Sequence, residues 1–345
     1  MNSEQSNQQS KPQKPLPHHQ FLQMATGKFV TEPLYVAAKL NIGDILADGP
    51  LPVNEIAKKT ETHAPTLYRV LRALTIVGVL VEKPGQAFEL TEIGNYLKSG
   101  PGSLKSMILW INDPRHGLAW NELLYSVKTG KTGAEKAYGM PAFQYLEKNK
   151  DLGKIFNDAM TNMSGMNSGA VAAGYDFSGI KTLMDVGGGH GAMLTSILTK
   201  NPAMKGMIYD LPYVIEGTVA ALKKTSMDIR CQAIGGDFFA SVPTGADAVI
   251  MSHIIHDWND EKSSLILKNC AKALPNNGKI LLVEAVVPGA NEFSPAKLLD
   301  LEMLVMVGGK ERTKEEYQDL FKQSGLKLGQ IVPLANGQSV IEALK

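Results

Sequence analysis

Apolar positions recur at helical spacing from residue 20 to about 173, and the period changes beyond Lys181. In the first stretch Val30, Leu34, Ala37, Ala38, Leu40 and Ile45 follow the helical period, which Gly43 and Asp48-Gly49-Pro50 interrupt. A short helix is expected from Val53, and a second starts at Ala64-Pro65-Thr66. Leu67, Val70, Leu71, Leu74 and Val77 form the apolar stripe of that second helix. Two short β-type runs, 79–81 and 87–90, then flank Lys83-Pro84-Gly85. Helix, helix, hairpin is the outline of a winged helix. Further helices are expected at 104–111, 118–127, 141–147 and 151–166.

From residue 181 strand-like runs (182–186, 206–209, 229–234, 248–251, 279–284) alternate with helix-length segments at 192–198, 214–224 and 262–273. That alternation predicts a parallel, doubly wound α/β sheet. The runs 326–332 and 339–344 flank Asn336-Gly337, a hairpin turn dipeptide, so an antiparallel hairpin should close the sheet. The expected organisation is a disordered tail over 1–19, a helical domain over 20–173 and an α/β domain over 174–345.

Composition narrows the function classes. Of 345 residues, 44% are hydrophobic and 20% charged, which excludes a mainly disordered chain. Lys and Arg number 35 against 34 Asp and Glu, a net charge of +1 with no global field for nucleic acid or anionic lipid. Cys231 and Cys270 cannot build a disulfide framework. No run reaches the roughly 18 apolar residues of a membrane helix, and the polar amino end lacks a secretory signal. A reduced, cytoplasmic protein without membrane or nucleic-acid partners is the expectation.

The sharpest motif is Asp185-Val186-Gly187-Gly188-Gly189-His190-Gly191-Ala192, leaving a strand and opening a helix. Glycines there let the chain turn tightly and a ligand approach the backbone. Gly187, Gly189 and Ala192, with Asp210 one helix and one strand later, also satisfy a dinucleotide pattern, so an NAD-dependent oxidoreductase competes. Asp185 before the glycines and the extra Gly191 favour S-adenosylmethionine, since neither is needed to seat a pyrophosphate. On that reading Asp210 accepts from ribose hydroxyls, Asp237 takes the adenine amino group and Phe238 packs on the base. Asp237 could equally be a loop cap.

These motifs, with Tyr209-Asp210-Leu211-Pro212, Gly236-Asp237-Phe238-Phe239, His256-Asp257-Trp258, residues 278–284 and Gly308-Gly309-Lys310-Glu311-Arg312-Thr313, stand in order along the chain. So does Tyr138-Gly139-Met140 with Phe143, Phe156 and Met160. In this the chain resembles the plant-type small-molecule O-methyltransferases, which include caffeate, isoflavone and hydroxyindole enzymes. The resemblance implies an all-α, winged-helix-containing dimerisation domain and a Rossmann-like domain whose seven-stranded sheet ends in an antiparallel hairpin. It also implies a homodimer, and S-adenosyl-L-methionine as cofactor with S-adenosyl-L-homocysteine as product. Asp185, Gly187, Gly189, Asp210, Leu211, Asp237, Phe238 and Ser252 would then contact the cofactor.

The expected reaction moves a methyl group to a hydroxyl, most simply a phenolic one, of a small molecule. A phenol is a weak nucleophile until deprotonated, and His256, just past the fourth strand, is a suitable base. A histidine base works best with a carboxylate on its other nitrogen. Glu284, an odd residue to end an apolar strand, and Glu311 are expected to flank it, as the resemblance implies. Asp257 is expected to cap the helix starting near Asn259. Relatives often carry Lys or Arg shortly before the base; here Ser252 and His253 stand there, and His190 replaces a small residue of the glycine loop. No metal is expected, since no carboxylate cluster with magnesium or zinc spacing is present. Phe143, Phe156, Met160, Met163, Trp258 and Met303 are candidate substrate contacts. A ligand-responsive DNA-binding protein is the other alternative, weakened because helix 64–77 carries only Arg69 and Arg72 as cations.

Overall fold

The computed structural model describes residues 16–345. It divides into two compact units, the first ending at Ser99 and the second running Gly100–Lys345. The division thus falls earlier than the expected boundary at 173, and helices 105–174 belong with the α/β unit. The expected tail lies mostly outside the described residues, but its last three residues, Pro17, His18 and His19, open the helix Pro17–Ala25. Proline at the first helical position, where no N–H is needed, sets that start.

In the first unit, Val53–Thr60 and Ala64–Ile76 are the paired helices. Strands Leu80–Lys83 and Ala87–Leu90 form the wing, and Leu51–Pro52 adds an edge to it. Leu67, Leu71 and Leu74 of the second helix are buried, so the apolar stripe is core, as its spacing requires. Elsewhere the unit shows apolar surface: Phe21, Leu22, Met24 and Phe29, on helices Pro17–Ala25 and Lys28–Lys39, are each at least 60% exposed.

The second unit is built on seven strands: β1 Thr182–Val186, β2 Lys205–Asp210, β3 Cys231–Gly235, β4 Ala248–Ser252, β5 Lys279–Glu284, β6 Lys327–Pro333 and β7 Ser339–Leu344. Their order is β6-β7-β5-β4-β1-β2-β3. β1 to β5 pair in parallel, whereas β7 runs antiparallel to both β5 and β6. Alternate residues feed the two faces: Ile280 and Leu282 join one buried cluster, Leu281 and Val283 the other. Ligands in such sheets meet the carboxyl ends of the strands where the order reverses, here between β1 and β4.

Several helical expectations need correction. The single helix expected at 118–127 is two, Pro114–Trp120 and Leu123–Thr129. Asp113 accepts from the Arg115 N–H with Pro114 next in line, a start signal that fixes the first helix upstream. Gly133–Tyr138, capped by Thr132, was not expected, and the helix starting at 150 continues to Gly174. Ala296–Met306 and Lys314–Gln323 were also missed. The former is apolar on most sides and so lacks a clear helical stripe; the latter is announced by a capping box between Thr313 and Glu316.

Candidate active site

The glycine loop leaves β1 by a turn that requires its sequence. Gly187 has φ +73°, and an added Cβ there would overlap the Ile254 side chain. Its N–H donates to the Tyr209 carbonyl at 2.8 Å, which ties the loop to the end of β2. There Asp210 accepts from the Gly189 N–H at 2.8 Å with one oxygen and from the Leu211 N–H at 2.7 Å with the other. The Asp210 carboxylate is therefore fixed at the mouth of the loop.

Asp185 lies beneath it, buried, with one carboxylate oxygen lacking any partner. Burial, reinforced by the charge of Asp210, pushes its carboxyl up to about 7. That orphaned oxygen sits close under Gly188 of the loop, and a cationic group arriving there would satisfy it, which suits a cofactor carrying ammonium and sulfonium charges. Leu211 keeps over a third of its surface exposed beside Asp210. Phe238, Phe239 and Trp258 form an edge-to-face cluster, with ring centroids 4.9 Å apart for Phe238–Phe239 and for Phe239–Trp258. Trp258, expected against the substrate, thus stands in one cluster with Phe238, the residue expected at the adenine. Asp237 accepts from the Phe239 N–H at 2.8 Å, so one of its oxygens is spent on its own turn.

The cluster around His256 is assembled from three distant segments. His256 sits in the short turn Ile255–Asp257 after β4, buried. Its Nδ1 lies 2.7 Å from Glu311 Oε1 and 3.5 Å from Glu284 Oε2. Its Nε2 lies 3.5 Å from Asp257 Oδ1. Asp257 is therefore a neighbour of the imidazole and not a helix cap; Asn259 caps that helix by accepting from the Lys262 N–H. Glu284 also accepts from the Ile254 and Ile255 N–H groups at 3.1 and 3.0 Å, which hold the turn on the end of β5.

Glu311 reaches the ring because Gly309 lets two backbones touch. An added Cβ at Gly309 would overlap the His256 carbonyl oxygen, and the Lys310 N–H donates to that same oxygen at 2.9 Å. Asp300 accepts from the Glu311 N–H at 2.9 Å. Arg312, fully buried, donates to the Ile255 and Trp258 carbonyls at 3.1 and 2.9 Å and to Asp260 at 2.8 Å. The residues reasoning from sequence missed are these supports, Arg312, Gly309 and Asp300. Arg312 and Gly309 stood in a recognised motif, but nothing in spacing tells which carbonyls a guanidinium will find.

Electrostatics separate the two histidines. Burial alone would depress His256, but Glu284, Asp257 and Glu311 outweigh it and hold the imidazole well above its usual range. The acids respond in turn: burial pushes Glu284 up to about 7 and Asp257 up to about 6. His253, with ring centroids 5.2 Å from His256, is pushed the other way, down to about 3, by burial and by the charge of His256. It stands in the left-handed region at φ +56°, with Nδ1 3.1 Å from Ser252 Oγ and Nε2 against Gln338. Ser252 is accordingly paired with His253. His190 packs its ring over Gly217.

His256, Glu284 and Glu311 each offer a donor atom within 4.8 Å of the others, the spacing of a small metal site. Yet the shortest separation is a direct hydrogen bond between Nδ1 and Oε1, and the remaining distances fit a carboxylate-flanked imidazole. The expected substrate contacts gather elsewhere in the unit. Phe143 meets Phe156 edge-on at 6.2 Å, and Phe156, Met160 and Met163 share one face of Lys150–Gly174 at helical spacing. Met303 is buried on Ala296–Met306.

Comparison with known proteins identifies the family. Residues 22–100 match the model of an O-methyltransferase dimerisation domain and residues 120–327 that of an O-methyltransferase domain. The chain is 41% identical over 323 residues to the phenazine O-methyltransferase PhzM of Lysobacter antibioticus, covering 93% of this chain and 94% of that protein. The crystal structure of LaPhzM superposes with a TM-score of 0.90 at 40% identity, over 96% of this chain and 99% of that one. The O-methyltransferase NcsB1 from neocarzinostatin biosynthesis, solved with S-adenosylmethionine and 2-hydroxy-5-methyl naphthoic acid, matches with a TM-score of 0.77 at 30% identity. That match covers 91% of this chain and 95% of that one. No helix among the described residues is long and apolar enough to cross a membrane.

Proposed function

We infer the chemistry from a plain premise: the chain belongs to the O-methyltransferase family, and it is an S-adenosylmethionine-dependent O-methyltransferase. We propose that it methylates a hydroxyl on a small aromatic molecule, with His256 as general base. The observation that carries this is the pairing of His256 Nδ1 with Glu311 and Glu284, which leaves Nε2, hydrogen-bonded to no group among the described residues though 3.5 Å from Asp257 Oδ1, as the nitrogen for an incoming hydroxyl.

Bound in the glycine loop, the cofactor supplies a methyl group already activated on a sulfonium. Asp185, Gly187, Gly189, Asp210 and Leu211 would hold it, with Phe238 beside the base and Asp237 and Ser252 at the rim. The chain's own task is then to ionise the acceptor and keep it in line. His256 Nε2 takes the hydroxyl proton, and Glu311 and Glu284 stabilise the resulting imidazolium. The raised affinity of this imidazole for a proton moves it towards that of a phenol, near ~10, so the proton is shared with little energetic cost. Burial of the cluster strengthens each of these interactions.

The acceptor chemistry is read from the relatives. PhzM is a phenazine enzyme and NcsB1 binds a hydroxylated naphthoic acid, so a fused aromatic hydroxyl is the favoured substrate class. The homodimer rests on the dimerisation-domain match and on the exposed Phe21, Leu22, Met24 and Phe29, which a second copy would cover.

The test is methyl transfer from radiolabelled cofactor to phenols of graded acidity. The wild type should label the hydroxyl, and His256→Gln should lower turnover by about 10²–10⁴-fold with cofactor affinity unchanged. The loss should shrink for phenols already ionised at assay pH. Full activity in the folded variant would remove His256 from the mechanism.

A further inference from the structure

A second buried histidine faces a glutamate far from the first. His116, only 1% exposed on the helix Pro114–Trp120, has Nε2 2.8 Å from Glu302 Oε1. Glu302 Oε2 accepts from the Trp120 indole N–H at 2.6 Å. Both oxygens of Glu302 are thereby used, and Nε2 of His116 must carry the hydrogen it donates. His116 Nδ1 is buried and has no partner. A ring nitrogen left so is costly unless some group arrives to meet it.

The neighbours of that ring are aromatic. The His116 ring packs edge-on to Trp110 at 4.8 Å, Trp110 packs edge-on to Phe156 at 5.0 Å, and Phe156 meets Phe143. His116 therefore ends a row of aromatic edges and faces that suits a flat fused ring. Glu302 and Asp300, the residue that holds the Glu311 backbone, share the helix Ala296–Met306, so one element links this row to the base cluster.

We propose that His116 is a specificity-determining residue: its Nδ1 accepts a hydrogen bond from a second donor, a hydroxyl or ring N–H, on the aromatic substrate, away from the oxygen that is methylated. This rests on the aromatic-acceptor reading above. The polarity of the contact follows from the tautomer. A carboxylate at Glu302 can only accept, so it fixes the hydrogen on Nε2, and in the neutral imidazole Nδ1 is then the acceptor.

That logic makes the preference reversible. In Glu302→Gln, the amide oxygen is needed by Trp120, so the amide N–H₂ turns to His116 Nε2. The ring hydrogen must then move to Nδ1, which becomes a donor. The probes are a naphthalenediol and the hydroxytetralone that carries a carbonyl in place of its second hydroxyl. Affinities are measured by calorimetry with saturating S-adenosylhomocysteine, so binding is read without turnover. The wild type should favour the diol by about tenfold, His116→Phe should bring the ratio close to one, and Glu302→Gln should favour the tetralone. A wild-type ratio near one overturns the proposal with no variant needed, as does an unchanged ratio in a folded His116→Phe protein that still binds cofactor. Failure of the wild type to methylate any phenol would instead sink the aromatic-hydroxyl reading, and leave the binding ratio to report on His116 separately.

Discussion

The two ends of the site are built on different plans. At the cofactor end, the glycine loop and Asp210 are joined by contacts between neighbouring strands, and most of the work is done by backbone N–H groups. At the base end, one imidazole is held by side chains that come from β5 and from the loop before Lys314–Gln323, far away in sequence. A site made of backbone tolerates loss of a single side chain; a site made of converging side chains fails together.

The sharpest way to test that contrast is Gly309→Ala. One methyl group set against the His256–Asp257 backbone would push the 308–313 loop off the His256 carbonyl and carry Glu311 with it. Turnover should fall by about 10²-fold and stability by roughly 1–3 kcal/mol, read by kinetics and thermal unfolding. Wild-type kinetics in this variant would mean the close approach is incidental.

Glu311→Gln should be milder and more informative. The raised His256 must lose its proton before it can accept one, so kcat/KM for a neutral phenol should climb with pH through a range above the usual histidine value. Removing the Glu311 charge lowers the affinity of the imidazole for that proton. The rising limb should therefore shift to lower pH while the plateau falls by about tenfold. A limb that stays in place would show that Glu311 orients the ring without tuning it.

Asp210→Ala should weaken cofactor affinity by about tenfold and leave kcat nearly unchanged, since the backbone seat survives the loss of one carboxylate. The glycines differ among themselves. A side chain at Gly189 would meet open space, so Gly189→Val acts through its φ of +54° alone, whereas Gly187→Val would also collide with Ile254. The smallest effect is expected at His253→Gln, within about threefold. Burial and the charge of His256 hold that residue far below the usual histidine range, so it is not expected to carry the proton.

Legibility followed the same divide. Strands β1, β5 and β7 and the glycine motif were readable because their signals are local: alternation or apolar runs, and glycines at a strand end. The place of His256 just past β4, with Glu284 and Glu311 beside it, was also legible, from the strand reading and from resemblance. Asp257 was misassigned because an acid before a helix reads as a cap, and only the fold shows that Asn259 already fills that role. His116 and Glu302 stand 186 positions apart, and no periodicity could pair them. Ala296–Met306, which positions both Asp300 and Glu302, was hidden because an element apolar on most sides leaves little pattern to detect.

The buried guanidinium of Arg312 has a consequence for how the enzyme is lost under heat. Among the described residues its donors meet the Ile255 and Trp258 carbonyls, Lys310, Asp260 and Ser263, in the segments that bracket the His256 imidazole. Any excursion that swings the histidine turn away takes the Ile255 carbonyl from a buried guanidinium, which costs more than slackening a few apolar contacts. Partly dismantled forms are therefore sparsely populated. Catalytic competence and the folded state of this layer should disappear over the same few degrees, with no warm interval in which an intact protein has lost only its base.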